Sequence, residues 1–216
     1  MILLASRRAL ASGATGRARS AASADARRRT RDVAGSLLLL AIMLPLMLVV
    51  ACLIKLGSRG PVLYRQDRVG LHGRVFTLLK FRSMRIDAEA DGPCWAAQRD
   101  RRMTWIGGFI RVCRIDELPQ LVNVLRGEMT LIGPRPERPF FTEQLTQAIH
   151  QYDQRTRVLP GITGWAQVNY PYGASVEDAR IKLNYDLYYI YNQTTLLDLK
   201  ILLATVRVVL LGVGAR

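Results

Sequence analysis

Residues 33–56 read V-A-G-S-L-L-L-L-A-I-M-L-P-L-M-L-V-V-A-C-L-I-K-L, the only long apolar stretch in a chain of 216 residues. About 20 apolar residues in a row are enough to cross a bilayer as a helix, so a membrane element has to be part of any fold. Pro45 sits near the middle, where it removes a backbone hydrogen bond and predicts a kink. Basic residues flank both ends: Arg27, Arg28, Arg29 and Arg31 before the run, and Lys55, Arg59, Arg65 and Arg68 after it. A single span would leave one of these clusters on the outer face, against the positive-inside tendency. A kinked, re-entrant helix keeps both at one surface, provided its freed carbonyls find partners. Val49-Val50-Ala51-Cys52 loosely resembles a lipoprotein cleavage box, but the run is long for a signal segment and so is the arm before it.

The net charge of +14 calls for an anionic partner, which leaves anionic lipid, a phosphorylated substrate and nucleic acid open. Residues 1–32 are rich in Arg, Ala and Ser, too poor in large apolar groups to pack, and are expected to be a disordered arm or to lie on lipid headgroups. A transit peptide has the same composition. Cys52, Cys94 and Cys113 have no metal-binding spacing and are odd in number, which argues against a zinc site or a disulfide framework. His72 and His150 are isolated, so a histidine-based metal or triad site is not expected.

Beyond the apolar run, two β-prone segments at 62–66 and 75–81 are separated by Gly70 and Gly73 and predict a hairpin. Residues 85–102 read as a short helix and an exposed loop, and 103–112 as an amphipathic helix. The segment from Arg111 to Glu137 is the densest in chemistry. Asp116 and Glu117 follow Arg111 and Arg114, with Asp116 placed to cap a helix through Leu118, Leu121, Val122 and Leu125. Gly133-Pro134-Arg135-Pro136 is a stiff turn that fixes where Arg135 points. Carboxylates beside guanidinium groups suit a site for phosphate and a divalent metal. They equally suit a capped helix with surface ion pairs. A helical region runs to about residue 158. Residues 163–167 then make a compact turn leading into a strand-like run, and helices are expected over 176–191 and 196–211. The expected fold is α+β and helix-rich with a small hairpin.

D-E-L-P-Q-L-V-N-V-L-R-G-E-M-T-L-I-G-P-R-P-E at 116–137, K-F-R-S-M at 80–84 and L-P-G-I-T-G-W-A-Q-V at 159–168 together resemble the bacterial sugar transferases, the monotopic phosphoglycosyl transferases. The resemblance covers roughly residues 33–216. Y-P-Y-G-A-S-V-E-D-A-R at 170–180 and the chain's end are similar to the subgroup associated with exosortase exopolysaccharide loci. Leu44 departs from the small polar residue usual before the family's membrane proline. The resemblance implies a re-entrant helix at 33–56, interfacial amphipathic helices, and a catalytic domain at 57–216 on the cytoplasmic face of the bacterial inner membrane.

It further implies transfer of a sugar 1-phosphate from a UDP-sugar to polyprenyl phosphate, releasing UMP. Asp116 would be the nucleophile and Glu117 would bind Mg2+. Lys80, Arg82, Arg111, Arg114 and Arg135 would hold phosphate oxygens, and Asp186, among tyrosines on the helix 176–191, would join the site. The partners implied are the donor, the lipid acceptor and an anionic membrane surface, not nucleic acid, with a homodimer left open. Two rival classes explain part of the sequence: a basic membrane-anchored nucleic-acid binder accounts for the charge, and a non-catalytic scaffold for a polysaccharide machine accounts for the membrane element.

Overall fold

The apolar run is helical throughout, and the helix begins well before it. A computed structural model of the protein describes residues 2–89, 92, 100–170, 173 and 175–211, with side chains described between 23 and 209. Helix α1 covers Ile2–Gly57 and passes through Pro45 without interruption. Its segment Ser23–Gly57 is the one described helix long and apolar enough to cross a membrane.

Residues 23–32, expected to belong to an unstructured arm, are instead docked helix. Polar groups rather than apolar ones hold them. Arg29 donates to the carbonyls of Val124 and Leu125, and Arg28 to the carbonyl of Ile132 and the hydroxyl of Tyr189. Asp32, 6% exposed, accepts from the Thr130 hydroxyl at 2.7 Å and the Leu131 N–H at 3.1 Å. These bonds give partners to main-chain groups of α3 and β3, among them the Leu125 carbonyl and the Leu131 N–H. At its other end α1 buries Val50 and Ile54, while Leu38, Ile42, Leu44 and Leu48 between the two anchors stay exposed.

Strands β1 (Leu63–Val69) and β2 (Val75–Phe81) form the expected antiparallel hairpin, pairing Leu63 with Phe81 through Val69 with Val75. Helix α2 (Trp105–Val112) is amphipathic as its sequence predicts. Ile106 and Ile110 pack with Val50, Ile54 and Phe81, and Trp105, Phe109 and Val112 face outward. Little of the 85–102 loop can be compared, because residues 90, 91 and 93–99 lie outside the described residues.

Asp116 does not cap a helix. Ile115–Glu117 form a 3-10 turn entered through Arg114 in a left-handed conformation (φ 57°). Pro119 has no N–H to contribute, so helix α3 starts after it, at Gln120–Arg126, and Gly127 (φ 82°) ends it. Asn123, fully buried on α3, works as a strand mimic: its amide nitrogen donates to the Thr77 carbonyl at 2.8 Å and its oxygen accepts from the Leu79 N–H at 3.0 Å. Helix α3 is thereby stitched to β2.

A second, parallel sheet joins β3 (Thr130–Ile132) to β4 (Gly161–Thr163). Three-residue strands carry no readable period, and this pair went unanticipated. It accounts for two of the glycine motifs. A side chain on Gly161 or Gly164 would collide with the backbone of Gly133, so the G-P-R-P turn and the P-G-I-T-G segment lie backbone against backbone. Where a compact turn at 163–167 leading into a strand-like run was expected, the chain forms the short helix α5 (Trp165–Asn169). Helices α4 (Pro139–Ala148), α6 (Val176–Tyr191) and α7 (Thr195–Leu211) complete the fold. Helix α6 opens with a capping box between Ser175 and Asp178. Helix α7 buries Leu197 and Ile201 against Ile132 and Tyr189 and exposes Leu196, Leu199, Leu203 and Val206.

The Asp32 anchor sets a first expectation. Asp32→Ala leaves the Thr130 hydroxyl and Leu131 N–H buried without an acceptor, and should cost about 2–3 kcal/mol of stability. Denaturant unfolding in detergent measures it, and a loss no larger than that of an exposed-site alanine would show the anchor to be idle.

Candidate active site

The two adjacent acids meet very different surroundings. Glu117, 8% exposed, receives Arg135 in a fork, Nη2 at 2.6 Å from Oε1 and Nη1 at 3.2 Å from Oε2. Lys80 Nζ lies 3.4 Å from Oε1, and Arg114 Nη1 3.7 Å. Asp116 is 5% exposed, and its Oδ1 is buried with no hydrogen-bond partner. The 3-10 turn creates this contrast by sending successive side chains in different directions from one short piece of backbone.

The acid–base chemistry follows the geometry. Burial pushes the Asp116 carboxyl up to about 6, with the neighbouring Glu117 charge adding to the rise and Lys80, Arg111 and Arg135 opposing it. Burial also acts to raise Glu117, but Arg135 and Lys80 outweigh it and hold that carboxyl well below the usual range. Burial draws the Lys80 ammonium down to about 8, against the pull of Glu117. Near neutrality, one carboxylate is neutralised by cations, while the other keeps a buried oxygen with no hydrogen-bond partner.

Lys80, Arg111, Arg114, Arg135, Asp116 and Glu117 all line one cavity of about 990 Å3. Arg82 also reaches its wall, but its guanidinium is committed elsewhere. It donates to the carbonyls of Ser58 (2.9 Å) and Arg59 (2.6 Å) and to the Ser58 hydroxyl (2.8 Å), just past the end of α1. Here Arg82 is a latch on the membrane helix rather than a phosphate ligand. Asp186, 2% exposed, also departs from a phosphate-binding role, since an acid repels phosphate and this one is paired with Arg155 Nη2 at 2.8 Å. Burial lifts its carboxyl to about 6, with Arg155 opposing.

Arg155 was not legible in the sequence. It bonds Asp186, the Tyr152 hydroxyl (2.7 Å) and the Arg135 carbonyl (2.8 Å), so it supports the backbone of the residue that grips Glu117. Tyr152 is three residues away, but Arg135 and Asp186 lie 20 and 31 residues away, beyond any local pattern.

The expectation that Glu117 ligates Mg2+ does not suit this arrangement, because both of its oxygens are already held by Arg135. Among the described residues no three His, Cys, Asp or Glu side chains gather where they could hold a metal.

The sequence profile of the family described as bacterial sugar transferase matches residues 23–212. A UDP-N-acetylgalactosamine-undecaprenyl-phosphate N-acetylgalactosaminephosphotransferase of Aeromonas hydrophila is 47% identical over 189 residues, covering 88% of this chain and 45% of its own. An undecaprenyl-phosphate glucose phosphotransferase of Komagataeibacter xylinus is 46% identical over 186 residues, 83% of this chain and 35% of its own. A UDP-glucose:undecaprenyl-phosphate glucose-1-phosphate transferase of Caulobacter vibrioides is 42% identical over 184 residues, 84% of this chain and 69% of its own. The chain thus spans less than half the length of the first two.

Lys80 is one of the charges that restrains Asp116, which yields a signed expectation. Lys80→Gln should move the Asp116 midpoint upward from about 6. Carboxyl-labelled aspartate followed by NMR across pH 4–9 checks this, with Asp116→Asn identifying the resonance; a midpoint that stays put or falls would contradict it.

Proposed function

The chain belongs to the bacterial sugar transferase family, and from that premise we propose that it transfers a sugar 1-phosphate from a UDP-sugar to polyprenyl (undecaprenyl) phosphate, releasing UMP, as a first step of exopolysaccharide synthesis. One observation carries the reading: in the cation-lined cavity Glu117 is fully neutralised, while Asp116 beside it keeps a buried oxygen with no partner. A structural ion-pair cluster needs no such asymmetry; a nucleophile does.

The chemistry proceeds in two displacements. The Asp116 carboxylate attacks the β-phosphorus of the donor; the bond to the oxygen bridging the two phosphorus atoms breaks, and UMP leaves with the electron pair. The product is an aspartyl phosphosugar. A phosphate oxygen of the lipid acceptor then attacks the same phosphorus, the bond to the aspartyl oxygen breaks, and the carboxylate is restored. Lys80, Arg111, Arg114 and Arg135 stabilise the charge on the phosphate oxygens in both steps. Asp186 and Arg155 position Arg135.

The membrane helix sits at the cytoplasmic surface in a re-entrant, monotopic arrangement. This reading is supported by the two anchors of α1, since Arg28, Arg29 and Asp32 at one end and Val50 and Ile54 at the other all pack on the same domain. From residue 28 to residue 54 a straight helix would extend about 39 Å, more than the ~30 Å hydrocarbon core. A crossing helix would carry one anchor to the far side of the bilayer, away from the domain it touches. The exposed apolar faces of α2 and α7 then lie in the interface.

The nucleophile assignment is tested with a donor labelled at the β-phosphate. Label should stay on the wild-type chain after an acid quench. Asp116→Asn should retain none and should lower UMP release by at least 10^3-fold, on the order seen when a catalytic nucleophile is removed. Asp116 titrates above an ordinary aspartate, so its ionised form costs stability that is intact below about pH 4 and lost as pH rises through about 6. The variant should therefore unfold at the same or a higher temperature at pH 7.5, and label retained by it would end the assignment.

Topology has its own test. Single cysteines placed at Arg31 and at Ser58, in a chain without its native cysteines, should react with an impermeant maleimide from the same side of sealed vesicles. Reaction from opposite sides would exclude the re-entrant arrangement.

A further inference from the structure

The cavity that holds Asp116 is lined by apolar as well as by charged side chains. Leu39 of α1, Leu131 of β3, Ile162 of β4, and Leu202, Val208 and Val209 of α7 are among the apolar ones. Two hydroxyls on the wall present no loose donor: Thr205 donates to the Ile201 carbonyl at 2.7 Å, which leaves Thr163 to donate to Thr205 at 2.7 Å. Gln167 also contributes to the lining; its amide nitrogen donates to the Ile162 carbonyl at 2.8 Å, and its Oε1 is buried.

Two features bear on what this apolar lining accepts. It shares one cavity with the cationic side chains, so one occupant can place a phosphate at Lys80, Arg111, Arg114 and Arg135 while its tail lies on the apolar wall. It also lies between α1 and α7, whose outward side chains Leu38 (62% exposed), Leu203 (64%) and Val206 (56%) form the apolar surface of the molecule. A hydrocarbon chain can pass from a membrane into this gap without crossing water, which keeps its apolar surface buried along the whole route.

Resting on the transferase reading, we infer that the gap between α1 and α7 is the seat of the first isoprene units of the acceptor, entered sideways from the membrane, with the acceptor phosphate directed at Asp116. The donor approaches the same carboxylate from the polar end of the cavity, past Tyr170, Lys182 and Asp186, so the two substrates need not exchange places. A two-chain phospholipid shares the phosphate, so the same cationic residues would attract it.

Three tryptophan variants test this. Leu202→Trp and Val209→Trp fill the gap; Leu203→Trp adds the same bulk to the outer face of α7. UMP released in one turnover without acceptor should be unchanged in all three. With polyprenyl phosphate, the KM for acceptor should rise at least tenfold in the first two and stay within twofold in the third. Equal effects of all three on the acceptor KM, or loss of the first turnover together with the second, would overturn the assignment. A direct measurement stands apart from catalysis: a polyprenyl phosphate with a photoreactive group on its first isoprene unit should label Leu39 and the segment 202–209. Excess polyprenyl phosphate should suppress the labelling, and phosphatidic acid should not. Labelling confined to the outward faces, or suppressed equally by phosphatidic acid, would refute the gap as the acceptor's seat. Wild-type chain that labels correctly but never releases UMP would fail the transferase reading and leave this one standing.

Discussion

Everything in the site depends on the neutralisation of Glu117. Two ionised carboxylates on adjacent residues, both more than nine-tenths buried, would repel each other and lose most of their hydration. At an effective dielectric near 20, one ion pair at 3–4 Å contributes about 4–5 kcal/mol. Arg135 and Lys80 together therefore outweigh the several kcal/mol needed to bury one carboxylate. Asp116 has no cation in direct contact among the described residues, so burial wins there and its carboxyl titrates near 6. Two acids adjacent in sequence thus reach opposite protonation behaviour through surroundings that differ by a few ångströms.

The grip of Arg135 is itself held from behind. Pro134 and Pro136 limit its backbone, Gly161 donates to the Pro134 carbonyl at 2.9 Å, and Arg155 donates to the Arg135 carbonyl. Asp186 keeps Arg155 in place, with Tyr152 on its other side. This outer ring explains why the G-P-R-P turn and the P-G-I-T-G segment occur together. Close contact of their backbones leaves no room for side chains, and the contact builds β3 and β4 under the guanidinium.

What was readable in the sequence divides along the same lines. The hairpin, the amphipathic helix α2 and the helices α6 and α7 follow from local periodicity and turn residues, and they were legible. Asp116, Glu117 and Arg135 came from one motif, Lys80 from a second, and Arg111 and Arg114 from the residues just before the first, and the structure gathers all six on one cavity. The motif containing Lys80 also contains Arg82, and only coordinates separate the residue facing the acids from the one latched to α1. Arg155, Arg28, Arg29 and Asp32 were illegible because each acts on main-chain groups or acids 20 to 104 residues away. An acid directly before an apolar run, as Asp32 is, was the one available signal, since an unpaired carboxylate there would be costly. Three-residue strands offered none.

The latches on α1 tie the chemistry to the membrane. Strand β2 carries Lys80 and ends just before Arg82, which holds the carbonyls of Ser58 and Arg59 directly after the membrane helix. Strand β3 receives Asp32 from the other end of that helix and runs directly into the turn that presents Arg135. Of the three cations around Glu117, Lys80 lies on and Arg135 just after a strand fastened at one end of α1. A shift of the helix in the lipid would pull on both strands, and the distances of 2.6 and 3.4 Å at Glu117 could not both survive a movement of an ångström or more. The apolar helix thus braces, from both of its ends, the cavity that holds Asp116 and Glu117.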